Sequence, residues 1–114
     1  MKHSSDIFLH GSEVMREPAG EGISRQILGH NDDLMLVRVQ FEEGAIGYTH
    51  AHPHSQVAYV ESGVFDFTIG EETRTLTTGD CAYIPPDMQH GAVCREAGVL
   101  LDIFSPSRED FLEG

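Results

Sequence analysis

The sequence predicts an all-β domain, either a closed barrel or a double-sheet jelly roll. Three observations predict it. From Gly22 onward, short runs of strand-forming residues are separated by glycine, proline and aspartate turn signals. Where the pattern is clearest, Met35, Val37, Val39 and Phe41 alternate with less apolar partners, the period of two that a half-buried strand requires. No run reads as a long helix.

The elements follow in order. Residues 23–28 and 34–41 flank the turn formers His30-Asn31-Asp32-Asp33, and Glu43-Gly44 ends the second strand. Residues 57–61 and 64–69 are joined at Ser62-Gly63, which reads as a hairpin turn. Gly70-Glu71-Glu72 turns into residues 73–76, and Thr78-Gly79-Asp80 into residues 81–84. Pro85-Pro86-Asp87 stops that strand, because proline donates no ladder hydrogen bond. Two last strands cover residues 90–95 and 99–104, and the tail 105–112 closes with a short helical turn. Residues 1–20 form an N-terminal arm in which Ile7 and Leu9 make either an edge strand or a segment packed on a second subunit. Residues 21–114 form the barrel, and 114 residues make one domain overall.

Nineteen acidic and seven basic side chains give a formal charge of −12. Such a surface repels phosphate backbones and anionic headgroups, so nucleic acid and membranes are poor partners. An anionic small molecule would have to be received by one of the few arginines. No apolar run approaches the length of a spanning helix, and the first residues lack a secretory signal, which gives a cytoplasmic expectation. Cys81 and Cys94 are too few and too far apart for a disulfide scaffold; both lie in apolar segments, where free buried thiols are common.

Histidine is concentrated. Three of the seven fall within His50-Ala51-His52-Pro53-His54, with Gln56 two residues on and His90 far downstream. Side chains two apart on a strand share a face, so His50 and His52 can converge on one point. Neutral imidazoles suit zinc, copper, iron and nickel. Parity does not choose among His50, His52, His54 and Gln56, and Pro53 interrupts the alternation. A second chemical signal lies in Val99-Leu100-Leu101-Asp102-Ile103-Phe104, an apolar strand broken by one carboxylate. Asp102 shares parity with Leu100 and Phe104; facing inward it would be a general acid or base with a raised pKa, and facing outward an ordinary edge aspartate. Arg108, four residues past Phe104, either receives an acidic ligand through its planar fork or pairs on the surface with Glu109 or Asp110.

His50-x-His52-x3-Gln56-x6-Gly63 and Gly79-x5-Pro85-x4-His90 resemble the two motifs of the cupin superfamily, whose fold is a jelly-roll β-barrel. There are two departures: Gln56 stands where glutamate is usual, and Asp87 where glycine is usual. The resemblance implies one divalent metal ion held by His50, His52, Gln56 and His90, nickel or zinc ahead of iron or manganese, with His54 at a variable position. An amide in place of a carboxylate leaves more positive charge on the ion, which favours Lewis-acid over redox chemistry. The tail Leu101-Asp102-Ile103-Phe104-Ser105-Pro106-Ser107-Arg108-Glu109-Asp110-Phe111 resembles the small KdgF-type cupins of pectin and alginate breakdown. That resemblance implies ring opening of 4,5-unsaturated uronate monosaccharides to the linear keto sugar acid, an isomerisation. It makes Asp102 and Arg108 the catalytic pair, with Asp102 the acid/base and Arg108 gripping the substrate carboxylate, while Phe104 shapes the pocket. It also implies a homodimer, for which Ile7-Phe8-Leu9 offers apolar surface. The alternatives are a cupin dioxygenase acting on a small organic substrate and a non-enzymatic sugar-binding cupin.

Overall fold

The computed structural model describes residues 4–113; residue 114 of the barrel span and residues 1–3 of the arm lie outside the described residues. A 3-10 turn at Gly11–Glu13 is followed by β1 (Glu17–Pro18), β2 (Ile23–His30), β3 (Met35–Phe41), β4 (Ile46–His50), β5 (Ser55–Ile69), β6 (Glu72–Thr77), β7 (Cys81–Ile84), β8 (His90–Ser105) and a one-turn helix α1 (Glu109–Leu112). Every strand pairing is antiparallel, in the order β1-β2-β3-β8-β5-β6, with β4 added to β8 and β7 to β5.

Two long strands organise the domain. β5 and β8 pair along their whole length, from Ser55 opposite Ser105 to Ile69 opposite His90. On its outer side β8 serves β4 in its first half and β3 in its second. β5 likewise serves β7 and then β6. Each strand therefore passes from one layer of a jelly roll to the other. The sequence reading of a hairpin at Ser62-Gly63, and of two separate strands at the end, is corrected here. The turn residues bend the strands instead of ending them. Pairing slips register between Val60 and Phe65, and Gly63 takes φ 89°. A Cβ on Gly98 would stand 2.1 Å from the Ser62 carbonyl oxygen, so the crossing needs backbone without side chains.

Between the layers lies the core. Met35, Val37, Val39 and Phe41 of β3 are buried while the residues between them are half-buried, as the alternation predicts. Phe65 of β5 is fully buried and meets Phe41 edge-on, with ring centroids 5.1 Å apart. Burying such a ring stabilises by about 1.5–3 kcal/mol. Of the two free cysteines Cys94 is buried and Cys81 exposed, because β7 turns Ala82 and Ile84 inward. The pairing of the sheet begins at Glu17, and Ile7 and Leu9 belong to no strand. The start of the arm is tied to β2, since the Ser5 amide donates to the His30 carbonyl at 2.9 Å. The buried Gln26 amide donates to the carbonyls of Gly11 and Val14. No helix among the described residues is long and apolar enough to cross a membrane.

Candidate active site

Three loops and strands bring the histidines together. β4 pairs with β8 so that His50 lies directly opposite His90, and their ring centroids are 4.4 Å apart. The chain then leaves β4, and the Asp87 amide donates to the His52 carbonyl at 2.8 Å, which pins the histidine loop to the turn before β8. Asp87 occupies the left-handed region at φ 65°, the conformation its glycine-like place in the motif demands. One nitrogen from each of His50, His52 and His90 lies within 4.8 Å of the others. His52 and His90 are buried, and His50 is exposed at the rim.

The hydrogen bonds prepare these rings as ligands. His50 donates from Nδ1 to the Tyr48 carbonyl and His90 from Nδ1 to the Met88 carbonyl, each at 2.9 Å. Both rings are thereby set with the Nε2 lone pair free, and that of His90 is buried without a partner. His52 Nε2 faces Gln56 Oε1 at 2.9 Å, while its Nδ1 is buried and unpartnered. If Nδ1 carries the proton, two lone pairs face each other, which a cation between them reconciles. Burial holds both His52 and His90 below the usual histidine pKa, with nearby positive groups adding to it, so the lone pairs are available at neutral pH. Buried orphan nitrogens beside an amide oxygen are a donor set that fits a divalent metal.

Next to this set is a cavity of about 250 Å³ bordered by His50, Gln56, His90, Asp102, Phe104 and Arg108 over an apolar floor that includes Val37 and Leu100. A cleft of about 540 Å³ beside it reaches only His50 of this group and is otherwise bordered by glycines, by Glu21, Glu42 and Glu43 and by other residues such as Ile46 and Tyr48; the polar convergence is in the smaller one. The β5–β8 register sets Ala58 opposite Asp102 and Gln56 opposite Phe104. Asp102 thus faces inward with Leu100 and Phe104, and its Oδ1 is buried with no hydrogen-bond partner. Burial pushes its carboxyl up to about 7, against the opposing pull of the Gln56 amide and the Arg108 guanidinium. Phe104 is buried and meets the His52 ring at 5.7 Å.

Arg108 makes the surface pair read as one alternative and also stands on the cavity wall. Its guanidinium lies 5.1 Å from the Phe104 ring centre and 4.2 Å from that of Phe111, on the cavity wall. At the same time its Nε and Nη2 donate to the two oxygens of Asp110 at 3.0 and 2.9 Å. Ser107 fixes this tail, donating its hydroxyl to the carbonyls of Asn31 and Leu34 and its amide to Asp32. Two cavity residues escaped the sequence reading, Arg25 and Phe111. For Arg25 the signal was present: it shares parity with the inward Ile23 and Ile27 of β2.

The cupin domain model matches residues 37–104, and the chain belongs to the cupin family. Within that family the similarity runs to KdgF proteins. The chain is 49% identical to the pectin degradation protein KdgF of Dickeya dadantii (strain 3937) over 102 residues, covering 88% of this chain and 93% of the relative. The solved structure of KdgF from Halomonas sp. superposes with a TM-score of 0.89 at 38% identity, covering 94% and 99% of the two chains. An RmlC-like cupin from Shewanella frigidimarina NCIMB 400 superposes with a TM-score of 0.93 at 47% identity, covering 96% and 98%.

Proposed function

We propose that this cupin is a metal-dependent isomerase that opens 4,5-unsaturated uronate monosaccharides to the linear keto sugar acid. The observation that carries the reading is Asp102: a carboxyl with one buried, unpartnered oxygen and a pKa of about 7, in the same cavity as the histidine–glutamine cluster and an arginine. The substrate is an enol ether closed into a hemiacetal ring. Opening it removes the proton of the anomeric hydroxyl, breaks the bond from the anomeric carbon to the ring oxygen, and delivers a proton to C4. Atoms balance with no oxidant, so one group that takes a proton and gives it back suffices. A carboxyl titrating near neutrality does both at comparable cost.

His50, His52, Gln56 and His90 would hold the ion, nickel or zinc ahead of iron or manganese. When bound, the ion supplies Lewis-acid stabilisation of sugar oxygens. Asp102 takes the hydroxyl proton and returns it to carbon, Arg108 offsets the substrate carboxylate, and Phe104 gives the ring an apolar wall. The exposed Ile7 and Phe8 support pairing of two chains through the arm.

The test is direct. Protein of measured metal content is given unsaturated monouronates from pectin or alginate, and loss of the ultraviolet absorbance of the 4,5-double bond is followed. Metal-dependent loss is expected. An unchanged absorbance, or oxygen consumption on another substrate, would overturn the reading.

A further inference from the structure

We propose that Arg25 is a second substrate-binding residue of this cavity, receiving the carboxylate of the sugar acid together with Arg108; the proposal rests on the uronate reading of the same site. Arg25 lies on β2, across the cavity wall from the tail that carries Arg108. It points inward between Ile23 and Ile27, opposite the buried Val39 of β3. An inward cation on such a strand is costly to bury without a purpose or a partner, and seven basic residues are all this chain has. Glu17 of β1 accepts a hydrogen bond from its Nε at 2.7 Å. Among the described residues no acceptor takes a hydrogen bond from its two terminal nitrogens.

The donors left over decide the assignment. Arg108 gives its Nε and Nη2 to Asp110, so the fork that would grip an anion is already engaged there. Arg25 keeps its terminal edge, two parallel donors suited to a carboxylate. The two guanidinium carbons lie 3.8 and 4.2 Å from the centre of one ring, that of Phe111, which keeps them within about 8 Å of each other. A guanidinium hydrogen-bonded to a carboxylate holds the two central carbons about 4 Å apart. Both cations therefore border one small region of the cavity wall beside Phe111, where we place the carboxylate. Each cation has its own carboxylate, Glu17 or Asp110, and both stack on Phe111, which stiffens the pair before any ligand arrives.

The experiment compares wild type, Arg25→Gln, Arg25→Lys and Glu17→Gln, all metal-loaded, with thermal melts as the check on folding. KM and kcat are measured on the unsaturated uronate, and calorimetry compares galacturonate with galactose, the same ring without a carboxylate. Arg25→Gln is expected to raise KM about ten- to a hundredfold, the range for a charge-assisted hydrogen bond, with kcat changed less than about threefold. It also loses the preference for galacturonate, and Arg25→Lys recovers part of both. Glu17→Gln keeps an oxygen that accepts from Nε, so the guanidinium stays placed, and removes the competing negative charge, so galacturonate binding holds or tightens. A KM for Arg25→Gln within about threefold of wild type, or weaker galacturonate binding in folded Glu17→Gln, would overturn the proposal. So would a wild type that binds galactose as tightly as galacturonate. If wild type turns over no unsaturated uronate yet its galacturonate preference depends on Arg25, the reaction is wrong and the anion site stands.

Discussion

In Asp102→Asn the carboxyl that burial holds near neutrality becomes an amide of the same shape. The pKa of Asp102 moves from an ordinary 3.8 to about 7 in the fold. The native state thus binds this proton more tightly than the unfolded chain does. Its contribution to stability is fully present below pH 3.8 and is lost as pH rises through the folded value. At about 1.4 kcal/mol for each tenfold, metal-free wild type loses about 4 kcal/mol between pH 4 and 8 through this group alone. The amide does not titrate, so Asp102→Asn overtakes wild type by that amount as pH rises. In a domain of this size the gap in melting temperature opens by about 10–20 °C. On the unsaturated uronate the same change lowers kcat about a hundredfold or more, because asparagine cannot carry the proton. Melts of both proteins in chelator across this range, with turnover measured alongside on the metal-loaded forms, give the two numbers. A melting gap that does not change with pH would refute the buried carboxyl, and near wild-type turnover would refute the proton carrier.

The pH dependence of wild-type kcat/KM is expected to rise and level off at or below about pH 7, since the free enzyme needs the carboxylate and a bound cation favours it; activity that falls from pH 5 to 8 would demand the protonated form instead. His90→Ala, and less completely the exposed His50→Ala, are expected to lose metal by elemental analysis while circular dichroism still reports a β-protein; stoichiometric metal in both would rule out these ligands. Gly98→Ala, whose Cβ would meet backbone at 2.1 Å, is expected to cost about 3 kcal/mol or more in a denaturant titration, and Gly29→Ala, with open space at its Cβ, about 1 kcal/mol or less; equal effects would mean the strands do not cross this closely. Sedimentation at micromolar concentration is expected to give a dimer, and a monomer there would leave the exposed Ile7 and Phe8 without the proposed partner.

Much of this was legible in the chain because it is written in local rules. The period of two in β3 translates directly into faces of a strand, and the spacing of His50 and His52 into one shared side. For Asp102 parity with Leu100 and Phe104 left both orientations open, and the β5–β8 register decides between them. What was not legible depends on contacts far apart in sequence. Ser62-Gly63 carries a turn signal, yet β8 runs alongside and Gly98 makes room, so pairing continues through a bend. Ala97-Gly98 hides the continuity of β8 for the same reason. Arg25 reads locally as the polar member of a half-buried strand. Its parity with Ile23 and Ile27 gives the inward side, but its place beside Arg108 is set by Phe111, from the other end of the chain, whose ring centre lies 3.8 Å from its guanidinium carbon.

Gln56 links the two halves of the site in a way a glutamate would not. Its Oε1 faces His52, while its amide acts on Asp102 as a donor, holding the carboxyl's pKa below the level that burial alone would set. An amide can accept on one side and donate on the other. A carboxylate at this position would accept on both sides, and beside Asp102 it would add like-charge repulsion to burial, driving the acid/base further from neutrality. Reducing the negative charge among the proposed ligands and keeping Asp102 near 7 are therefore two consequences of one substitution. A site with glutamine at this position and a carboxyl on the neighbouring strand is suited to moving a proton beside a Lewis acid, which is the chemistry that ring opening of an unsaturated uronate needs.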